Sequence, residues 1–219
     1  MRSAVFLGVA LAASSVGAPA RASEERGVEL AFRLGYGIPF GNIGTADGET
    51  LVLNDLVTGQ IPLWFDLGYR ITPSVVVGAY FAYGVGITPD STCPSGVSCS
   101  TDAFHLGVEG QYRFLPRERA DPWVGLGVGY EWLSTSTVFS ENVAGTQLDA
   151  VASFALRGWE FLRLQGGVDF AVRRAFAVGP FVDVSLGEYT TSSSMSAREI
   201  PDKAIHGWVT LGVRAVFDP

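Results

Sequence analysis

Val124-Gly125-Leu126-Gly127-Val128-Gly129-Tyr130-Glu131-Trp132 is the stretch that decides the fold. In an extended chain successive side chains point to opposite faces. Val124, Leu126, Val128, Tyr130 and Trp132 then share one face, and Gly125, Gly127, Gly129 and Glu131 share the other. A helix would scatter both sets around its circumference. The glycine spacing is no phosphate loop, because no helix start and no Lys-Ser/Thr follows it. It is a strand with one bulky apolar face and one small face.

Seven other stretches read the same way, each with apolar residues at alternate positions. Residues 28–36 set Glu29 and Arg33 on the minority face, and residues 63–71 set Trp64, Asp66 and Arg70 there. Residues 75–83 place Gly78 and Tyr80 on that face, and residues 104–114 place His105, Glu109, Gln111 and Arg113. Residues 162–170 contribute Arg163, Gln165 and Asp169; residues 176–186 contribute Phe181 and Asp183. The last stretch, 209–217, contributes Thr210 and Arg214, with Trp208 just before it. Eight strands are predicted. Their connections alternate in length: 72–74, 115–123 and 171–175 are short, whereas 37–62, 84–103, 133–161 and 187–207 are long and polar. Short and long connections therefore sort onto opposite rims of one up-and-down meander, with no linker and no second domain.

Composition agrees with an all-β chain that lacks a solvating coat. Of 219 residues, 47% are hydrophobic and only 17% charged, well under the quarter usual for soluble domains. A net charge of −7, with Lys203 the only lysine, excludes the basic stripe of a nucleic-acid binder. No apolar run after the N-terminus reaches the length of a transmembrane helix. Residues 1–22 carry Arg2, a short apolar core and Ala20-Arg21-Ala22, the pattern of a secretory signal peptide removed after Ala22. The mature domain expected is 23–219. Export also frames the only two cysteines. Cys93 and Cys99 bracket Pro94-Ser95-Gly96-Val97-Ser98, and an oxidising compartment favours a disulfide across that loop. A zinc site would need further ligands, so no metal and no cofactor are expected.

The apolar face is expected outside. Eight strands enclose a bore barely wide enough for side chains. Packing every Leu, Val and Phe inward would overfill it and leave a glycine-rich face in water. Inverting the barrel puts glycines and mixed charges in the bore and the bulky face against lipid. Each apolar face implies roughly the 9–11 residues a tilted strand needs to cross a bilayer. Aromatic residues gather at the strand ends, where amphipathic rings prefer the membrane interface. Tyr36, Tyr83, Phe104, Tyr130 and Trp132 mark the long-loop end; Tyr69, Tyr112, Phe114, Phe170, Phe176 and Phe217 mark the other.

With these features the chain resembles the small outer-membrane β-barrels of Gram-negative bacteria, of the OmpA, OmpX and OmpW type, over residues 27–219. The resemblance implies an eight-stranded antiparallel transmembrane barrel in the cell outer membrane, with short periplasmic turns and long extracellular loops. It implies contact with outer-membrane lipid and lipopolysaccharide, and a monomer. It also implies that the C-terminal strand, ending in Phe217 after Ala215, Val213, Leu211 and Val209, is the signal read by the barrel-assembly machinery. Here Asp218-Pro219 follows that phenylalanine, a departure from the family pattern.

Function is carried by the inward face. Glu29, Asp66, Glu109, Glu131, Asp169 and Asp183 stand there with Arg33, Arg70, Arg113, Arg163 and Arg214. Six acids and five bases are close to balance, and paired, hydrogen-bonded charges can be buried at little net cost. The expected result is a salt-bridged plug and an envelope-structural or surface-binding role. The alternative is a narrow OmpW-like conduit for small or hydrophobic molecules, for which the inward glycines would leave room. A lipid A-modifying enzyme is disfavoured: His105 and His206 are expected near the long-loop rim with no placed serine nucleophile, so no catalytic residue is assigned. Glu49, Asp55, Asp102, Glu160 and Glu188 are read as acids of the long loops, without calcium-loop spacing.

Overall fold

A computed structural model describes residues 26–46, 49–89, 93, 97–143, 146–193, 197–200 and 202–218. The expected signal segment 1–22 and the Pro94–Gly96 part of the cysteine loop lie outside them. The chain runs β1 (Gly27–Ala46), β2 (Glu49–Val52), α1 (Leu53–Leu56), β3 (Gly59–Thr72), β4 (Val75–Ile87), β5 (Val97–Arg113), β6 (Ala120–Val143), β7 (Thr146–Arg173), β8 (Phe176–Ser193), β9 (Ala197–Glu199) and β10 (Ile205–Phe217). Each long strand pairs antiparallel with the next, and β10 pairs with both β8 and β1, so eight strands close into a ring. Closure removes the unpaired edge that neither lipid nor water tolerates well. β2 pairs β1, and β9 pairs β8, outside the ring.

The barrel is inside-out relative to a soluble one. Leu126 is 59% exposed and Val108 58%, whereas Arg33, Arg163 and Arg214 are each 1% exposed. A continuous apolar surface of this size calls for a lipid environment. No helix among the described residues is long and apolar enough to cross a membrane; the crossing is made by strands. Rings on this surface touch edge to face at the long-loop end, from Phe81 through Phe104 and Trp132 to Tyr130 and Trp159.

Several segments expected as loops are strand. The β6–β7 hairpin is paired from Ala120↔Phe170 to Val143↔Thr146, with one register shift between Gly127 and Gly129, so most of residues 133–161 is paired. Its run of Ser134, Thr135, Ser136, Thr137 and Val138 alternates polar and β-branched residues, which suits a ribbon standing above the membrane. Asp102 and Cys99 lie on β5, Glu160 on β7, Glu188 on β8, and His206 on β10. Cys99 is opposite Thr137 on β6, and its disulfide with Cys93 is formed at a Cα separation of 5.8 Å.

The segment after β1 also departs from a polar loop. β1 changes partner from β10 to β2 at Gly41, whose φ of 84° suits only glycine well. Beyond it, Ile43, Leu53 and Val57 are buried with Ala103, Leu133, Leu156, Tyr189, Ile200 and Trp208. Ala103, Leu133, Leu156, Tyr189 and Trp208 are inward positions of β5, β6, β7, β8 and β10, and Ile200 lies between β9 and β10. A short apolar lid is therefore seated in the mouth of the barrel, held there by burial of its own side chains.

Candidate functional site

The bore is the site, and it is filled in tiers. At the short-turn end Glu29 accepts from three guanidiniums: Arg70 at 2.7 Å, Arg113 at 2.8 Å and Arg214 at 3.0 Å. Arg113 also donates to Asp121 at 2.8 Å and faces Asp169 at 3.2 Å, which takes a further bond from Arg214. Trp123 lies under the Arg214 guanidinium, 4.4 Å from ring centre to carbon. Asp218, just past the terminal phenylalanine, accepts from Arg70 at 2.9 Å, and its N–H donates to Ala175. The residue that departs from the family pattern thus closes the lower tier.

The next tier centres on Arg33. It donates to Asp66 at 2.6 Å, to Glu109 at 3.0 Å and to Gln165. Gln165 and Gln111 each donate to Glu109 at 2.6 Å, so this carboxylate is saturated from three strands. Above it Arg163 forks onto Asp183 at 2.8 and 3.2 Å and meets Glu160 at 3.0 Å. Its planar cation also lies 3.8 Å over Trp64 and 4.3 Å over Tyr80, a use of guanidinium that lysine cannot copy. Asp183 and Glu160 are its partners.

Glycines make room for these side chains. A Cβ at Gly129 would stand 2.1 Å from the Tyr80 hydroxyl, and one at Gly107 would stand 2.5 Å from it. Trp64, Tyr80, Phe181 and Trp208, all buried, refill the volume that the inward glycines leave open. The enclosed space between the two lower tiers, lined by Glu29, Asp66, Glu109 and Arg214 among others, is about 10 Å³. That is room for about one water molecule.

Near the mouth the chemistry changes. His105 Nδ1 lies 2.9 Å from Glu160 Oε2, and His206 Nε2 lies 3.1 Å from Glu131 Oε2. Tyr189 donates to Glu131 at 2.6 Å and stacks on His206 at 3.8 Å, and Trp208 donates to the same carboxylate at 3.0 Å. Both histidines are buried. Each pairs with a carboxylate, and the other ring nitrogen of each has no hydrogen-bond partner.

The structure places all eleven charged residues read from the alternation in the bore, and it adds Asp121 and Glu160 to them. Among the described residues eight buried carboxylates now face five buried arginines, so the near-balance of the sequence reading gives way to an acidic bore. Asp121 was hidden because its segment reads as a turn, though Asp121-Pro122-Trp123 continues the alternation of β6 backwards. Glu160 was hidden by a bulge. Gly127 pairs Arg163 but Gly129 pairs Glu160, and Gly187 pairs Glu160 while Leu186 pairs Leu162, so Phe161 is one residue too many on both sides. No local signal marks it.

No protein-family model matches the chain, and neither does any curated protein sequence. Solved structures do. The outer membrane protein OprG from Pseudomonas aeruginosa superposes with a TM-score of 0.50 at 14% identity, covering 89% of this chain and 98% of that one. The outer membrane protein AlkL, solved in lipid bilayers, gives a TM-score of 0.50 at 18% identity, covering 97% and 98%. At such identities the likeness is one of fold. The chain has the fold of the small eight-stranded outer-membrane β-barrels.

Proposed function

We propose that this chain is a closed outer-membrane barrel with an envelope-structural or surface-binding role, and neither an open pore nor an enzyme. The filled bore carries the reading. From Arg113 and Trp123 at the short-turn end to Leu53 and Trp208 at the mouth, successive tiers of buried side chains cross it. The lipid-facing apolar band supports a membrane location, and the fold shared with OprG and AlkL supports the outer membrane. The long β6–β7 ribbon and the β8–β10 connection, at the rim opposite the short turns, are the parts available to partners. Among the described residues the second ring nitrogen of each histidine meets no serine hydroxyl, which supports a packing role for them over that of a base for a serine nucleophile. Purified barrel reconstituted in a planar bilayer tests the reading. A silent bilayer with folded protein present is expected; stable discrete openings would overturn it and favour the narrow conduit.

A further inference from the structure

We propose that His105, Glu131 and Glu160, with His206 beside them, bind one first-row divalent cation of the zinc type beneath the lid of the barrel. His105, Glu131 and Glu160 each offer a ligand atom, and these atoms all lie within 4.8 Å of one another. His105 and Glu131 are direct cross-strand partners on β5 and β6, and the β7 bulge brings Glu160 in beside them. His206 approaches from β10, across the bore, and touches the Glu131 carboxylate at 3.1 Å.

Three features of this cluster point to a cation. The first is the outer shell. Tyr189 and Trp208 both donate to Oε1 of Glu131, and Tyr80 donates to Oε1 of Glu160, where Arg163 also sits at 3.0 Å. In each glutamate one oxygen is anchored and Oε2 is turned toward an imidazole, which is how outer groups orient metal-binding carboxylates. The second is the burial of the imidazoles. His105 is 2% exposed and His206 1%, and each turns a ring nitrogen onto a carboxylate oxygen of the cluster, at 2.9 and 3.1 Å. The third is charge. Arg163 is shared by Asp183 and Glu160, and Glu131 has no guanidinium within ion-pair distance among the described residues. A dication at this level would add positive charge beside two carboxylates served by one guanidinium and two imidazoles.

Two imidazoles with two carboxylates suit zinc or its first-row neighbours better than calcium or magnesium, which prefer all-oxygen shells. Zinc bonds of about 2.1 Å place tetrahedral donors roughly 3.4 Å apart. The cluster must therefore tighten by about an ångström, within reach of glutamate torsions. An ion held there would tie β5, β6 and β7 to β10 on the opposite wall.

The test is refolding of the full chain into detergent with and without one equivalent of cobalt(II), followed by removal of loose ions. Expected are one retained ion per folded barrel, the intense visible absorption of four-coordinate cobalt, displacement by zinc, and unfolding at least tenfold slower than in the metal-free protein. His105→Gln and Glu131→Gln should each abolish the absorption. His206→Gln, kept as a milder variant should those fail to fold, should shift or weaken it. Folded wild-type barrel that retains no cobalt would overturn the proposal and leave the cluster as a histidine–carboxylate pairing. Equal cobalt binding by folded variants would overturn it too, since the ion would then sit elsewhere.

Discussion

Glu160 and Arg163 stand three residues apart on β7, yet both side chains enter the bore and meet there at 3.0 Å. On a regular strand residues three apart face opposite sides. Phe161 removes the conflict as the extra residue of a bulge, with Phe161 and Leu162 both turned to lipid. The bulge absorbs the extra residue, so Glu160 keeps the inward phase of Arg163 despite the odd spacing. Glu160 thereby joins Tyr80, His105 and Arg163 in the upper tier of the bore.

Deleting Phe161 should straighten β7 without changing which residues face inward. Glu160 and Arg163 would become neighbours two positions apart, still on one face, and the pairings to β6 and β8 would become continuous. The expected outcome is a barrel that still resists unfolding by detergent on an unheated gel. Loss of that gel shift would mean that the bulge itself is needed for ring closure.

Leu126→Arg should impair insertion. Leu126 is flanked inward by Gly125 and Gly127 and lies well inside the apolar band, so the new cation would face acyl chains at a cost of about 2–4 kcal/mol. Refolding yield into bilayers of defined thickness measures it, and a yield equal to wild type would contradict the lipid-facing assignment.

Arg163→Met should leave the lipid-facing surface untouched and strike the interior. Asp183 would lose its bidentate partner and Glu160 its guanidinium ion-pair partner, a loss of about 3–5 kcal/mol for a broken buried pair. Arg163→Lys should recover only part of this, because a lysine neither forks onto Asp183 nor stacks on Trp64 and Tyr80. Denaturant unfolding of the folded barrels ranks the three proteins.

Gly129→Ala should destabilise by about 1–3 kcal/mol through overpacking, since its Cβ meets the Tyr80 hydroxyl at 2.1 Å and the Leu106 carbonyl at 2.8 Å. Removing that hydroxyl in Tyr80→Phe should relieve part of the strain. A double-mutant cycle then shows positive coupling, whereas strict additivity would place the clash on the backbone carbonyl alone.

Replacing Cys93 and Cys99 with serine should leave the ring folded. The disulfide closes a short loop at the end of β5, worth about 2 kcal/mol by chain entropy, and the strand pairing Val97↔Phe139 to Arg113↔Trp123 does not depend on it. Faster protease cleavage around residues 88–99, with the heat-modifiable gel shift retained, is the expected result. Mass spectrometry of wild-type protein should find both thiols oxidised.

Strand number, the two faces and the inverted polarity were all legible in the chain itself. The reason is that alternation belongs to each extended segment by itself: Val124 to Trp132 shows its two faces whatever it pairs with. The sorting of short and long connections onto two rims follows from the same count. Partners and inner composition are of another kind. Glu29 and Arg214 meet across 185 residues because ring closure pairs β1 with β10, and Arg33 and Glu109 meet across 76 because β1 and β5 face each other over the bore. His206 and Glu160 read as loop residues until pairing extended β10 toward the mouth and a bulge shifted β7. Leu53 and Val57 read as parts of a polar connection until the barrel mouth offered them an apolar seat. Local periodicity determined which face meets lipid; only the closed ring, which brings distant strands within a side chain's length, decided what fills the bore.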